Sequence, residues 1–264
     1  MLDKKQKYLQ IALNSTLEEA QAIISQIPLD KRIIIEAGTP LIKAYGVRGI
    51  RAIRSWWEQR VLGYGLKISE IPQTKSWWLN LLLKSLEKRQ FQEKRQKLAK
   101  NKEILFTPYI VADLKCMDRG AREVEIAKEG GANAAVALGQ APIETLDAFM
   151  EECEESGLDS MIDMMNVRYP LEILRQLKKL PQVVILHRGV DEEAFNSEKE
   201  IPFHEIYRIK ENYDIMIAIA GGDTFQEVQR AIFNDADIVV VWNSFYKSTA
   251  DTAKLAQEFL KEIR

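Results

Sequence analysis

The sequence predicts a closed barrel of eight parallel strands wrapped by helices, a (β/α)8 or TIM barrel, with a helical insertion between the second and third strands. Three observations predict it. Eight short apolar runs each end in polar or glycine residues. Most of these runs are apolar throughout, which marks strands covered on both faces. Six of the seven steps between successive run ends have the length of one βα unit. At 264 residues, the chain is close to the roughly 250 residues typical of one such barrel.

In order, the strand signals are YLQIALN (8–14), RIIIEA (32–37), YIVAD (109–113), AAVAL (134–138), SMIDM (160–164), VVILH (183–187), IMIAIA (215–220) and DIVVVW (237–242). Helical patterns lie between and after them at 16–27, 120–129, 143–156, 170–179, 203–212, 224–233 and 249–263. With strand ends at Asn14, Glu36, Asp113, Leu138, Asp163, His187, Ala220 and Trp242, the steps are 22, 77, 25, 25, 24, 33 and 22 residues. The step of 77 exceeds a βα unit by roughly 50 residues. The excess is assigned to an insertion at 46–103 within a single domain spanning 1–264. An open doubly wound sheet fits less well, because the first turn, ALNSTLEEA, lacks G-x-G-x-x-G.

Apolar residues make up 46% and charged residues 29% of the chain, which excludes a disordered protein. No apolar run approaches the ~20 residues that span a bilayer, so no transmembrane segment is expected. The start, MLDKKQKYLQ, lacks the apolar core of a signal peptide. Two cysteines, Cys116 and Cys153, make neither a disulfide scaffold nor a structural zinc site, and they fit a reducing, cytoplasmic location.

Charge is unevenly distributed. Between Lys43 and Glu103 there are fifteen Lys/Arg against five Asp/Glu, whereas the remainder holds twenty-two against thirty-four. This basic stretch carries Trp56-Trp57 and Trp77-Trp78, four of the five tryptophans. Basic charge interleaved with aromatics suits an anionic membrane surface, nucleic acid or a partner protein. The plainer reading packs the aromatics onto the barrel or a second copy and leaves the charges solvated or facing the acidic barrel.

Active sites of such barrels lie at the carboxyl ends of the strands. Here those ends carry Asn14, Glu36, Asp113, Asp163 and His187, with Lys115 and Asp118 just beyond the third. Burying unpaired charge is costly, so this convergence asks for a chemical reason. Period two sets Asp113 and Lys115 on the same inward side. A lysine between carboxylates stays charged and can stabilise negative charge on a substrate oxygen; the alternative is an ion-pair network. Glu36 and Asp113, on adjacent strands, are oxygen ligands suited to Mg²⁺; the alternative for Glu36 is pairing with Lys43 or Arg48. His187 is a candidate acid or base, against a packed core histidine. His204 belongs to a helix start at the surface. Gly221-Gly222 after the seventh strand suits backbone approach to an anion, and equally a plain turn.

These residues carry a family resemblance. LQIAL, IIIEAGTPLIK, IVADLKCMDRGAREVEIAKEGGA, MIDMMNV, VILHRGVDE and IAIAGG, in that order, resemble 3-hexulose-6-phosphate synthases of the orotidine-5′-phosphate decarboxylase superfamily. The D-x-K-x-x-D of Asp113, Lys115 and Asp118 is characteristic of the superfamily, and EAGTPLIK and LH-x-G-x-D of the hexulose-phosphate branch. The resemblance implies a homodimer with Asp118 reaching the partner subunit's site, and Mg²⁺ held by Glu36 and Asp113. It also implies Lys115 stabilising an enediolate, His187 handling the proton at the reacting carbon, and Asp163 at the fifth-strand acid position. Arg188, Gly221, Gly222, Asn14 and Asn243 then fall to substrate binding. The implied reaction is reversible aldol chemistry between ribulose 5-phosphate and formaldehyde.

Three departures qualify the transfer. The first strand ends Ala12-Leu13-Asn14 where the family has Ala-Leu-Asp. The eighth reads Trp242-Asn243-Ser244-Phe245-Tyr246-Lys247 where the family has glycine-rich sequence that completes a phosphate cup. The insertion has no family counterpart. Three expectations follow: a divergent Mg²⁺-assisted aldehyde-lyase acting on a sugar phosphate, a same-scaffold enzyme for a ligand without phosphate, or a barrel that binds a partner without catalysis.

Overall fold

The computed structural model describes residues 1–63, 106–196, 198–222, 224–247 and 251–263. Eight parallel strands close into a barrel in sequence order: β1 (Tyr8–Leu13), β2 (Ile33–Ala37), β3 (Ile110–Cys116), β4 (Ala134–Leu138), β5 (Asp159–Asp163), β6 (Val183–His187), β7 (Met216–Ala220) and β8 (Ile238–Val241). β8 returns to β1 with Tyr8 opposite Ile238 and Ile11 opposite Val241. The expected (β/α)8 barrel is therefore the observed architecture.

The helices in chain order are α1 (Leu17–Gln26), α2 (Thr39–Tyr45), α3 (Val47–Val61), α4 (Gly120–Gly130), α5 (Ile143–Ser156), α6 (Pro170–Leu174), α7 (Val190–Phe195), α8 (His204–Lys210), α9 (Phe225–Phe233), α10 (Asn243–Lys247) and α11 (Thr252–Glu262). Capping boxes start α1 and α9: Thr16 and Thr224 accept from the backbone N–H of Glu19 and Glu227, whose carboxylates reach back to the cap. His204 opens α8 with its side chain in solvent. The helix expected over 170–179 stops at Leu174, and the Lys178 N–H that would continue it donates to Asp147 Oδ1 instead.

Two apolar layers follow from the period of two along each strand. One set fills the barrel interior, with Ala12, Ile34, Val111, Val136, Met161, Ile185, Ala218 and Val240 among its members. The other set faces the helices, with Leu9, Ile35, Ala112, Ile162 and Val239 meeting Ile23, Ile53, Phe149 and Phe259. The amino-terminal end is closed by charge pairs: Lys7 and Lys210 share Asp235 and Asp237. A hollow of about 390 Å³ beside Lys4 and Asp214 lies at this end, opposite the strand carboxyl ends.

The interval expected to be an insertion begins with a barrel helix. α3 buries Ile50, Ile53, Trp57 and Val61, and it packs on α1 and α4. Its basic residues find barrel partners. Arg54 donates to Asn133 Oδ1 at 2.7 Å and pairs with Glu58, and Arg60 donates to the Ile27 carbonyl at 3.0 Å. Thus Trp56-Trp57 belong to barrel packing. The remaining part of the expected insertion, with Trp77-Trp78 and the basic stretch after them, lies outside the described residues. Trp57 is fully buried and its ring lies 6.0 Å from that of Phe106. Trp57→Ala is expected to lower stability by about 3–5 kcal/mol, read as a shift in the urea midpoint. A loss below about 1 kcal/mol would show that this helix is not part of the core.

Candidate active site

The inward positions at the carboxyl ends of successive strands gather into one cavity. Along β2, β3, β5, β6 and β8 the interior series Ile34, Val111, Met161, Ile185 and Val240 continues two residues on to Glu36, Asp113, Asp163, His187 and Trp242. The apolar barrel thus ends in a ring of acids, an imidazole and an indole. These five side chains line a cavity of about 660 Å³, together with Lys115, Asn14, Gly221 and Asn243.

Lys115 reaches this ring by an irregularity. The β3–β4 register shifts between Asp113 and Cys116, and Lys115 itself has φ +45°. Simple alternation on a regular strand, the expectation from sequence, therefore does not apply beyond Asp113. The bulge re-aims the side chain, and Lys115 Nζ donates to Asp113 Oδ2 at 2.9 Å and to Asp163 Oδ2 at 2.7 Å. Burial disfavours its ammonium, but the two carboxylates outweigh burial and hold its pKa above the ordinary lysine value.

Asp163 is the hub. Its Oδ2 receives Lys115 and, at 2.8 Å, His187 Nδ1, while its Oδ1 accepts the Met165 N–H at 2.9 Å. Burial opposes its charge, yet His187 and Lys115 hold it well below the usual carboxylate range. An ionised carboxylate only accepts, so Nδ1 of His187 carries the proton and Nε2 is left for chemistry. Burial lowers the pKa of His187, but the Asp163 charge and hydrogen bond overcome that and raise it.

Glu36 and Asp113 form the other half. Burial, then the nearby Asp113, push Glu36 up to about 7. Gln10 Nε2 donates to Glu36 Oε2 at 2.5 Å. Asp113 Oδ1 and Gln10 Oε1 are buried acceptors with no hydrogen-bond partner. Two hard oxygen groups, one of them with an unfilled buried acceptor, fit a small divalent cation whose other ligands are waters or substrate oxygens. Among the described residues no group of three or more His, Cys, Asp or Glu side chains forms a metal site by itself, so waters or ligand oxygens would have to complete any coordination at Glu36 and Asp113.

The other expected site residues divide. Asn14 lines the cavity from just beyond β1 and lies over Gly38, where an added Cβ would meet Asn14 Oδ1 at 1.7 Å. The Asn14 and Ser15 N–H groups donate to Tyr246 Oη at 2.9 and 3.2 Å. Gly221 and Asn243 line the cavity, whereas Gly222 does not. Asp118 lies outside it, exposed, accepting the Arg119 N–H. Arg188 is not among the lining residues either; it donates to the Gly221 carbonyl at 2.8 Å and to Glu227 Oε1 at 3.0 Å. The Lys247 side chain lies outside the described residues. Gln10, Thr39 and Tyr246 were not expected. Thr39 Oγ1 donates to the Asp113 carbonyl at 2.8 Å. The signal for Gln10 was its polar side chain inside an otherwise apolar strand.

The arrangement can hold a negative oxygen at Lys115, move a proton at His187 Nε2 and accommodate a cation at Glu36 and Asp113. The chain is 33% identical over 257 residues to a bifunctional enzyme Fae/Hps of Methanocaldococcus jannaschii, covering 97% of this chain and 52% of the relative. It is 32% identical to the corresponding protein of Methanosarcina barkeri, again covering 97% and 52%. The chain thus spans about half the length of the curated relatives it matches. In fold it is similar to the crystal structure of 3-hexulose-6-phosphate synthase from Salmonella typhimurium, with a TM-score of 0.72 at 23% identity over 97% of this chain and 98% of that one. The family model that matches covers residues 88–259, from ahead of β3 through β8, the part that supplies Asp113, Lys115, Asp163 and His187. By that match, the chain belongs to the orotidine 5′-phosphate decarboxylase / HUMPS family.

Proposed function

We propose that this chain is a carbon–carbon lyase of the hexulose-phosphate synthase type, catalysing reversible aldol addition of an aldehyde to a ketose through an enediolate. The observation that carries the reading is the shared Asp163 oxygen. It orients an always-charged lysine and a proton-bearing imidazole side by side in one cavity. The likeness to Fae/Hps proteins along nearly the whole chain supports it.

In the forward direction, a proton leaves the ketose carbon beside the carbonyl and passes to His187 Nε2. The carbonyl oxygen gains the negative charge, and Lys115 Nζ lies beside it without needing to reorganise. The nucleophilic carbon then bonds to the aldehyde carbon, and the aldehyde oxygen takes up a proton to become a hydroxyl. In reverse, that hydroxyl loses its proton, the carbon–carbon bond breaks and the ketose carbon is reprotonated from His187. Mg²⁺ at Glu36 and Asp113 would supply further charge stabilisation for the same oxygens. Asn14 and Asn243 are assigned to the ligand's hydroxyls. We assign the working assembly to a homodimer, with Asp118 facing the partner rather than its own cavity, and the location to the cytoplasm.

The test is exchange of the C1 hydrogens of ribulose 5-phosphate or ribulose with solvent deuterium, followed by NMR. Exchange that formaldehyde diverts into a six-carbon ketose supports the reading; absence of exchange with both ketoses overturns it. Mg²⁺ is expected to accelerate exchange in the parent protein, and Glu36→Gln is expected to abolish that increment. An equal Mg²⁺ response in Glu36→Gln, or no ordered metal between the two carboxylates in crystals grown with millimolar Mg²⁺ and substrate, would refute the metal assignment.

A further inference from the structure

Gln10 lines the cavity but takes no part in the proton and oxyanion steps. It lies in the middle of β1 between Tyr8 and Ala12, on the face that fills the barrel interior, and is 1% exposed. In the β1–β2 register Gln10 is opposite Ile34, and Ala12 is opposite Glu36. Gln10 therefore starts two residues, about 6–7 Å, below Glu36. Ala12, level with Glu36, has no polar side-chain atom, so Gln10 supplies the contact from β1 to that carboxylate. Its Nε2 donates to Glu36 Oε2 at 2.5 Å.

For the fold alone, a glutamine here is a poor choice. The interior set around it is built from Ala, Val, Ile and Met side chains and Tyr8. A buried amide in such a layer costs free energy for each polar atom left unpaired. The amide oxygen of Gln10 is buried and has no hydrogen-bond partner among the described residues. It cannot change places with the nitrogen, because an ionised carboxylate only accepts. A methionine or leucine would fill the layer without that cost, so what glutamine adds is the contact to Glu36. The two carboxylates are then held alike. Asp113 is tied through Oδ2 to Lys115 at 2.9 Å, and Glu36 through Oε2 to Gln10. Each is left one oxygen, Oδ1 of Asp113 and Oε1 of Glu36, for a shared cation.

We infer that Gln10 is a positioning residue of the cation site, holding Glu36 with one oxygen turned to the divalent cation. It acts through Glu36 and touches neither the cation nor the reacting atoms. The inference rests on the assignment of Mg²⁺ to Glu36 and Asp113. A glutamate has three rotatable side-chain bonds, and a donor from the neighbouring strand fixes the carboxylate that they would otherwise let turn. Partners of this kind set the orientation of a ligating carboxylate before the metal arrives. The barrel therefore carries an unsatisfied amide oxygen for the benefit of the site.

Mn²⁺, titrated into the whole chain as a paramagnetic substitute for Mg²⁺ and followed by EPR, tests this, both without ketose and with millimolar D-ribulose 5-phosphate. Gln10→Met and Gln10→Leu keep an apolar side chain of similar size and remove the donor. Each is expected to weaken Mn²⁺ binding by about 10–100-fold, the loss typical of groups that orient a metal's ligands. In the cation-free chain the same variants are expected to melt above the parent or within about 4 °C of it. A residue that served only the fold would move the melting temperature and the affinity together. A loss of affinity smaller than about tenfold in both variants overturns the inference. So does a larger fall in melting temperature in both, or failure of both to fold, since Gln10 would then serve the barrel. The metal assignment itself fails, and the inference with it, if the parent binds no Mn²⁺ in either condition or if Glu36→Gln leaves its binding unchanged.

Discussion

Lys115→Ala is expected to reduce C1 exchange and aldol turnover by about 10³-fold or more, since one preorganised oxyanion donor is worth 10²–10³ and this one carries a full charge. The side chain is also an ion-pair partner, so the variant has a second, separable cost. Removing Nζ leaves the Asp113 carboxylate without its 2.9 Å contact and takes one of two side-chain donors from Asp163 Oδ2. Breaking a buried pair costs about 3–5 kcal/mol when the remaining charge is uncompensated. His187 still compensates Asp163, so a loss toward the lower end of that range is expected.

The sign of the pH dependence follows from the shifts. Lys115, raised, contributes stability that is fully present below its ordinary value and is lost as pH rises through its folded one, so the neutral range is unaffected. Asp163, depressed, contributes stability present above its ordinary carboxylate value and lost as pH falls through its folded one. Lys115→Ala shrinks that acid-side contribution, and thermal melts should converge with the parent's at low pH. Activity within a few-fold of the parent would sink the oxyanion role, whatever the melts show.

Much of this site was legible because a charged residue closing an apolar strand is conspicuous. Glu36, Asp113, Asp163 and His187 each end a run of β-branched and aliphatic residues, and strand alternation alone sends them into the same layer. What the sequence could not convey is pairing across long separations. The resemblance gives Arg188 to substrate binding, but its partner Glu227 lies thirty-nine residues on, and the paired guanidinium is not among the groups that line the cavity. Asp118 precedes a left-handed residue no propensity announces: Arg119 has φ 57°, and the aspartate beside it is exposed.

The converse case is α3, at the amino-terminal end of the expected insertion. Step arithmetic assigned 46–103 as insertion, although Ile50, Ile53, Trp57 and Val61 show the spacing of a helix that buries one face. The basic residues between them mask that period with charge. Likewise, Gln10 was visible as the polar member of YLQIAL, on the same side as Ala12 and Asn14. Its contact with Glu36 depends on the β1–β2 register, in which Ala12 lies opposite Glu36.

Asp163→Asn has the other large effect, and it separates orientation from charge at Lys115. The carboxylate accepts from three donors, Lys115 Nζ, His187 Nδ1 and the Met165 N–H. An asparagine has one accepting oxygen, so either the Met165 amide or the Lys115–His187 pair must face its NH₂ group. Asp113 still holds Lys115, but His187 loses either the hydrogen bond that fixes its tautomer or the negative charge behind it. Loss of an orienting carboxylate in an acid–base pair costs about 10⁴-fold in serine proteases, and a fall of roughly 10³-fold or more is expected here.

A structural role alone would not predict the accompanying titration. In the parent, burial lowers the pKa of His187 and Lys115 opposes its charge, yet the Asp163 charge and hydrogen bond, with Asp113 adding, carry it above 6.5. Stability from that histidine is present below its ordinary value and is lost as pH rises through the raised one. With asparagine at 163 burial prevails, so the midpoint should fall below 6.5 and this stability–pH step should vanish or reverse. Imidazole nitrogen shifts followed by NMR read the midpoint directly. A His187 midpoint unmoved by Asp163→Asn would show that Asp163 does not hold its proton. Assignment of the acid–base role to His187 Nε2 would then lose its basis.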